Sequence, residues 1–370
     1  MSDAAPPAKG LRGHAVTITE VARRAGVSTA TVSRTLASPS QVSEPTRNRV
    51  FAAIKETGYT PNAAARSLRA QSTKMVLALL PGLGNSFWNV IINAVEEVLT
   101  EAGYGVIFGD TRNDPWREAH YDQLVRGGQV DGVLLLTGRL PREGFALLDR
   151  RVPITLVCNS LPGLDDLPLF EVDNRDSARA MTEFLIGRGH RRIAHIAGQA
   201  GNPEAAERIR GYADALVAAG IGFDESLVWP GAFSFASGAE AAGRFLATPE
   251  RPSAIFSASD EMAIGCIKAL KDAGLSVPAD VSVCGFDGID YSAMYDPALT
   301  TIIQPRAELG RLAAENLVSR MRRGAPAMAA TRTRIRCTLA VRDSIGPGPF
   351  AGCEAVSGPA APARRAEASR

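Results

Sequence analysis

The sequence predicts an all-α helix-turn-helix head followed by a two-lobed α/β core with parallel sheets, and three observations carry that prediction. Two short helical stretches meet across Gly26-Val27 near the start of the chain. From Met75 onward the pattern switches to short apolar runs alternating with helical segments, and that alternation occurs in two successive series. A chain of 370 residues is too long for one ordinary domain, in keeping with several folding units. Its 45% hydrophobic and 22% charged residues suit a soluble globular protein. No apolar run approaches the roughly 18 residues of a membrane-spanning helix, and the leading MSDAAPPAKGLRGH lacks the apolar stretch of a signal peptide. No membrane partner and a cytoplasmic location are therefore expected.

The elements of the head follow from capping and apolar spacing. Thr17-Ile18-Thr19-Glu20 places a hydroxyl residue three positions before a glutamate, the reciprocal capping box that satisfies free N–H groups at a helix start. Val21, Ala22 and Ala25 give this helix an apolar face, and Gly26 ends it where a left-handed residue is wanted. Ser28 caps a second helix running through Thr31, Val32 and Leu36, and Ser43 opens a third whose Val50 and Ile54 close a three-helix core. In such a unit the N-terminal part of the second helix enters the major groove of DNA, so Thr29, Ala30, Ser33 and Arg34 are the candidates to face base edges. Arg34 can donate two parallel hydrogen bonds to a guanine, while the Thr29 methyl and Ala30 offer apolar contact to a thymine methyl. An ordinary capped hairpin with a solvated arginine is the bland alternative. Charge bears on the choice: residues 1–74 hold 11 Lys/Arg against 4 Asp/Glu, leaving 30 against 35 for the remainder. A basic head on a mildly acidic body points the head, and not the body, at a polyanion.

Residues 17–34, TITEVARRAGVSTATVSR, resemble the head of the LacI/GalR family of bacterial transcription regulators. Gly58-Tyr59-Thr60-Pro61-Asn62-Ala63-Ala64-Ala65-Arg66-Ser67-Leu68-Arg69 resembles that family's passage from the third helix into a hinge helix. The resemblance implies a hinge that orders on the operator, with Leu68 wedged into the minor groove at the centre of the site, and Asn62, Arg66 and Arg69 completing the DNA-contacting set. An alanine-rich helix of under three turns is marginal alone in water, and an apolar wedge flanked by arginines suits minor-groove insertion. A buried interdomain contact is the other use for Leu68. The expected organisation is a disordered tail over 1–14, the helix-turn-helix domain over 15–61, a hinge helix and linker over 62–74, the core over 75–345 and a second disordered tail over 346–370.

Within the core, MVLALL, YGVIF, DGVLLL and PITLV form one strand series, and RIAHIAG, SLVWPG, SAIFSA and VSVCGFD a second. Helical segments such as 89–101, 205–219 and 260–273 separate them, which implies parallel sheets covered on both faces. The lobes fall near 75–173 and 174–303, and 304–345, with a helix near 307–322 and a strand near 333–340, crosses between them. Ligands of open parallel sheets sit beyond the carboxyl ends of the strands, so the cleft between the lobes is the candidate binding site.

The family resemblance continues through Gly187-Arg188-Gly189-His190-Arg191-Arg192-Ile193, Ser259-Asp260-Glu261-Met262-Ala263, Gly285-Phe286-Asp287 and Pro297-Ala298-Leu299-Thr300-Thr301-Ile302. It implies a periplasmic-binding-protein-like core that is effector-binding and dimeric. Carried over position by position, Phe87 and Trp88 flank the effector, and Asn159 stands where several relatives carry Asp. Arg208 hydrogen-bonds effector polar groups, Phe233 stacks on the ligand, and Asp287 accepts from its hydroxyl or N–H groups. A guanidinium and a carboxylate converging across a cleft can fix a vicinal diol or a purine edge while aromatic rings cover the apolar face. Core packing for Phe87 and Trp88, and a turn-capping role for Asp287, stay open.

No GxxxxGK, HExxH or GxSxG motif is present, and Cys158, Cys266, Cys284, Cys337 and Cys353 show no ligand spacing. The cysteines read as reduced packing thiols, and no enzyme, cofactor or metal is expected. The reading is a transcription regulator, in the expected sense a repressor, that binds an inverted-repeat operator in double-stranded DNA as a homodimer and answers by allostery to a small effector. Residues 28–34 and 285–306 are similar to cytidine-type nucleoside regulators, but many sugar-responsive relatives share these runs, so sugar stays slightly ahead of nucleoside. The tail after Gly346 holds no leucine, which favours a dimer over a heptad-linked tetramer. The competing reading is a sugar- or nucleoside-binding receptor without a transcriptional role; the basic head and the missing signal peptide stand against it.

Overall fold

Contacts divide the chain into two units at Thr73 and Lys74. The computed structural model describes residues 16–60, 72–112, 114–136, 152–161, 163–323 and 331–351. In the first unit α1 (Ile18–Ala25), α2 (Thr29–Ala37) and α3 (Glu44–Thr57) bury Val21, Ala22, Ala25, Val32, Val50 and Ala53 together. Gly26, at φ 67°, supplies the left-handed turn between α1 and α2, and the Ser28 hydroxyl caps α2 by accepting from the Thr31 N–H at 3.1 Å. The capping box expected at Thr17 does not form. No side-chain bond caps α1, because the Glu20 carboxylate accepts from Arg23 Nε at 3.0 Å instead. A charge-assisted pair one turn along the helix has displaced the weaker bond back to the backbone. Arg24 Nε ties α1 to α3 by donating to Glu56 at 2.8 Å.

The second unit contains two six-stranded sheets. The strands are β1 (Met75–Leu80), β2 (Gly105–Asp110), β3 (Gly132–Leu135), β4 (Ile154–Val157), β5 (Leu169–Val172), β6 (Ile193–Ile196), β7 (Val228–Trp229), β8 (Ala254–Ser257), β9 (Ser282–Asp287), β10 (Thr300–Ile303), β11 (Arg332–Ile335) and β12 (Thr338–Ala340). The first sheet runs β11-β5-β4-β3-β1-β2 and the second β12-β10-β9-β8-β6-β7. All described pairings are parallel except β12 with β10, which is antiparallel because the chain enters that edge from the opposite lobe.

The helices are α4 (Phe87–Glu101), α5 (Pro115–Arg126), α6 (Asn174–Gly187), α7 (Pro203–Ala218), α8 (Phe235–Ala247), α9 (Asp260–Asp272), α10 (Asp290–Met294) and α11 (Arg306–Arg323). Alternation along β1 shows why both sheet faces are covered. Val76, Ala78 and Leu80 pack with Ile91 and Val95 of α4 and Leu309 and Leu317 of α11, whereas Leu77 and Leu79 pack with Val125 of α5 on the other side. In the second lobe Ile255 and Val283 face α8 and α9, while Phe256, Cys284 and Phe286 face α6 and α7.

The chain passes between the lobes at Val172–Asn174, at Ile303–Arg306 and at Ile335–Thr338, as the sheet order and helix packing require. Within the expected crossing segment 304–345, α11 and β11 therefore belong to the first lobe and β12 to the second. The unstructured tail expected from Gly346 fails for residues 346–351. The N–H groups of Gly348 and Phe350 donate to the carbonyls of Arg188 and Gly189 at 2.7 and 3.2 Å, and the Gly346 carbonyl meets His190 Nε2 at 3.3 Å. Gly189, at φ 91°, leaves room for this segment: a Cβ there would lie 2.3 Å from the Ala351 nitrogen. Cys158, Cys266 and Cys284 are buried free thiols and Cys337 is a half-buried one.

Candidate functional site

On the head, Thr29, Ala30 and Arg34 are exposed and Ser33 is half-buried, all on the first turns of α2. The inward positions Val32 and Thr35 hold that helix against its neighbours and leave the N-terminal face to solvent. Asn62, Arg66, Leu68 and Arg69 lie outside the described residues.

In the core the other candidates gather at the carboxyl ends of the strands. Arg208, on α7, is only 2% exposed. Its Nε donates to Asn174 Oδ1 at 2.9 Å, and its Nη1 donates to the Ala258 carbonyl and, at 3.4 Å, to Asp287 Oδ1. The guanidinium lies 3.9 Å above the Phe286 ring and 5.9 Å from that of Phe233. Asp287 ends β9 at φ 118°, a conformation that costs a non-glycine residue about 1–3 kcal/mol and is held where the surroundings over-determine it. Gln304 Nε2 donates to Asp287 Oδ1 at 2.8 Å. Burial pushes the Asp287 carboxyl up to about 8 in spite of the neighbouring Arg208. Asp260, which accepts from the Thr301 hydroxyl and from the Ile289 N–H at 2.9 Å, is pushed up to about 7 by the same cause.

Phe233 and Cys158 also take positive φ, 53° and 68°. The Phe233 ring occupies the space that a Cβ on Gly198 would need, at 2.1 Å, so a glycine there seats the ring. Phe87 and Trp88 open α4 as an edge-to-face pair 4.9 Å apart and are buried in the first lobe's core, with Phe87 Nα held by Asn85 Oδ1 at 2.8 Å. Asn159, 2% exposed and two residues past β4, donates to the Leu136 carbonyl at 3.3 Å and accepts from Asn202 Nδ2 at 3.4 Å. The structure thus joins Arg208, Asp287 and Phe233. Phe87 and Trp88 pack in the first lobe's core, and Asn159 meets Asn202 of the second lobe.

Three polar links cross between the lobes around this cleft. Asn85 Nδ2 donates to the Phe233 carbonyl at 3.1 Å; Ser86 donates to Glu261 Oε1 from both N and Oγ, at 2.9 and 2.8 Å; and Asn202 meets Asn159. A cavity of about 560 Å³ opens beside the Asn159–Asn202 link, lined in part by Cys158, Ser160, Glu171, Asp173, Asn174 and Glu204. Its lining reaches the sequence-derived set only through Asn174 and Glu204, the neighbours of Arg208. Sequence reasoning missed Asn174, Glu204, Gln304 and Glu261. Glu204 was signalled by its position one turn before Arg208 and Gln304 by its place in the family run, but the Ser86–Glu261 link joins segments 175 residues apart and left no local trace.

Among the described residues there is no cluster of His, Cys, Asp and Glu that could hold a metal ion, and no helix is long and apolar enough to cross a membrane.

Residues 17–62 match the lacI family of bacterial regulatory proteins, and residues 182–345 match a periplasmic binding protein-like domain. Over 307 residues the chain is 38% identical to the HTH-type transcriptional repressor CytR of Escherichia coli (strain K12), an alignment spanning 83% of this chain and 90% of that protein. It is 34% identical over 308 residues to catabolite control protein A of Priestia megaterium, spanning 83% and 92%. Among solved structures it is similar to the lac repressor dimer bound to operator and the anti-inducer ONPF, with a TM-score of 0.78, 26% identity and 90% and 99% of the two chains covered. A transcriptional regulator CelR–cellobiose complex gives a TM-score of 0.68 at 33% identity, covering 89% and 99%.

Proposed function

The chain belongs to the lacI family of bacterial regulatory proteins and is a DNA-binding transcription regulator with a two-lobed core, and from that premise we propose that it is a homodimeric repressor switched by a small molecule held between Arg208 and Asp287. The observation that carries the proposal is the buried Arg208–Asp287 contact at the strand ends, with strained backbone at Asp287 and the rings of Phe286 and Phe233 beside Arg208. Charged groups kept at such a place cost stability, and a ligand with complementary polar atoms explains their retention. The solved relatives supply the analogy: one is a dimer on its operator with a bound anti-inducer, another holds cellobiose.

On the DNA side, Thr29, Ala30, Ser33 and Arg34 read base edges in the major groove, and two heads held by one core dimer read two half-sites. Asn62, Arg66, Leu68 and Arg69 form the hinge contribution, with Leu68 as the minor-groove wedge. α11 begins at one of the crossings and packs on α4, a route by which ligand-dependent closure would alter the spacing from which the two hinges depart.

Electrophoretic mobility shift with genomic fragments, repeated in the presence of sugars and nucleosides, tests the whole reading. Retardation of a fragment containing an inverted repeat, changed by one class of small molecule, is the expected result. Tight binding of a sugar or nucleoside without selective retardation of any fragment would favour the receptor reading instead.

A further inference from the structure

We infer that Arg306 is a positioning residue: from the first turn of a first-lobe helix its guanidinium holds the Gly288 carbonyl, and so fixes the backbone that presents Asp287 to the cleft. For its consequence in regulation this rests on the Arg208–Asp287 cleft being the effector site. Two features of Arg306 run against the usual placement of a charge. It is only 6% exposed, and it is the first residue of α11, where the helix dipole disfavours a cation. Its side chain directs its donors at the second lobe: Nη2 gives a 2.8 Å bond to the Gly288 carbonyl and a 3.4 Å one to Asp290 Oδ1. The Asp290 side chain is 80% exposed, so the ion pair contributes little and the carbonyl is the principal partner.

The loop held in this way is the one whose shape decides where the Asp287 carboxyl points. Asp287 takes φ 118° and Gly288 φ 70°, two successive residues of positive φ, and a Cβ on Gly288 would lie 2.7 Å from the Ile303 Cα. Such backbone persists only where the surroundings over-determine it. From the second lobe, Asp260 accepts from the Ile289 N–H at 2.9 Å. From the crossing segment, Gln304 bonds Asp287 twice, from its N–H to the carbonyl at 3.1 Å and from Nε2 to Oδ1 at 2.8 Å, and Arg306 donates to the next carbonyl along. Residues 304–306 therefore lie along 287–288 as a splint, tightened by the Arg306 N–H, which donates to the Gln304 carbonyl at 2.8 Å.

The splint does not end in the second lobe. α11 continues from Arg306 into the core of the first lobe, where Leu309, Ala313 and Leu317 are buried, and Gly310 lets α4 approach so closely that a Cβ there would lie 2.6 Å from the Ile91 carbonyl oxygen. A helix packed into one lobe thus grips, with its first side chain, the ligand-facing loop of the other. A ligand that turns or stiffens Asp287 acts on the adjoining Gly288 peptide, and the buried charge-assisted bond passes that change to the start of α11. Loosening this bond leaves every ligand-contacting side chain in place while releasing the loop from the first lobe.

The test compares three variants of the full chain: Arg306→Met, which fills the space without a donor, Arg306→Lys, which keeps a charge and a donor, and Asp290→Asn, which removes only the exposed partner. Hydrogen exchange without ligand is read first, at the amides of Ile289, Ser292, Gln304 and Leu309, each hydrogen-bonded in the structure. In Arg306→Met these are expected to exchange on the order of tenfold faster while the amides of β6 and β8 keep the wild-type rate; Arg306→Lys restores most of the protection, and Asp290→Asn matches wild type. Wild-type exchange in Arg306→Met overturns the proposal. So does protection in Arg306→Lys no better than in Arg306→Met, which would make the side chain a space-filler, and so does an equal loss in Asp290→Asn, which would move the hold to the exposed ion pair. Operator retardation with cytidine, ribose and cellobiose as probes then separates the positioning from the cleft. For a probe that shifts wild-type operator affinity, Arg306→Met is expected to keep the probe-free affinity and to show a shift smaller by about threefold or more; an undiminished shift overturns the regulatory role. No shift of wild type by any probe counts against the cleft as the effector site, and the exchange result alone then decides the hold on the loop.

Discussion

Replacing Arg208 with alanine removes the group on which both the stability of the core and the recognition of ligand converge. The side chain is 2% exposed and supplies bonds to Asn174 Oδ1, the Ala258 carbonyl and Asp287 Oδ1. Without it, the Asn174 and Ala258 oxygens lose a donor in the interior, at about 1–3 kcal/mol each. Asp287 loses its counter-ion, but burial has already raised its carboxyl to about 8, so near neutral pH it answers by holding a proton and adds little to the cost. The expected loss is about 2–6 kcal/mol of core stability, the sum of the two acceptors left without a donor. For a domain of this size that is a fall of about 10 °C in the core transition. Differential scanning calorimetry of the full chain measures it, and Arg208→Lys, which keeps the charge but not the forked geometry, should fall between. Effector binding should be lost in both variants while the head still binds DNA. A core transition displaced by no more than a surface substitution would cause, about 0.5 kcal/mol, would refute the hydrogen-bonded hub inferred for this residue.

Arg34→Ala should cost about 1–3 kcal/mol and relax base preference at one position of each half-site; binding to a set of base-substituted operators reads this, and an unchanged preference would remove Arg34 from the groove. Glu261→Gln keeps an acceptor for Ser86 but removes the charge that strengthens both cross-lobe bonds, so effector affinity should fall by about three- to tenfold in calorimetric titration. Equal affinity in that variant would show that the link does not help hold the lobes closed. Asp287 and Asp260, raised to about 8 and about 7 from ordinary carboxylate values, contribute stability that is fully present below about pH 4 and is lost as pH rises through those values. The contribution of these two carboxyls to the Tm of the core should accordingly decline between about pH 4 and 8 and level off above, with a shallower decline in Asp287→Asn; parallel profiles would contradict the assignment. His195, pushed down to about 3 by burial, acts in the opposite direction and only on the acid side of its ordinary value.

Much of the fold was legible because it rests on local periodicity. Gly26, Ser28 and the apolar positions of the first three helices specify the head within a few turns of chain, and the runs around Met75 and Ile193 declare strands covered on both faces. What local pattern cannot decide is competition between partners. Glu20 had two, a backbone N–H and Arg23, and only the folded geometry shows that the arginine prevailed. The same limit applies to long-range assembly: α11 lies late in the sequence yet packs on α4, and Gly189 is shaped for a segment more than 150 residues away. In the site, Asp287 and Glu261 stood in recognisable runs and Arg208 at a matched family position, whereas the bond of Asn174 to Arg208 and the link of Glu261 to Ser86 exist only once the helices and lobes are assembled.

The central claim is that ligand in the Arg208–Asp287 cleft and DNA on the α2 face are energetically coupled. Operator affinity of wild type and Asp287→Asn, measured by fluorescence anisotropy with and without a small molecule found to bind by calorimetric titration, tests it most directly. The account predicts that ligand shifts wild-type operator affinity by about 5- to 150-fold, the range of a 1–3 kcal/mol coupling, and that Asp287→Asn keeps its ligand-free operator affinity but loses the shift. A shift of the same size in the variant, at the same ligand concentration, would contradict it.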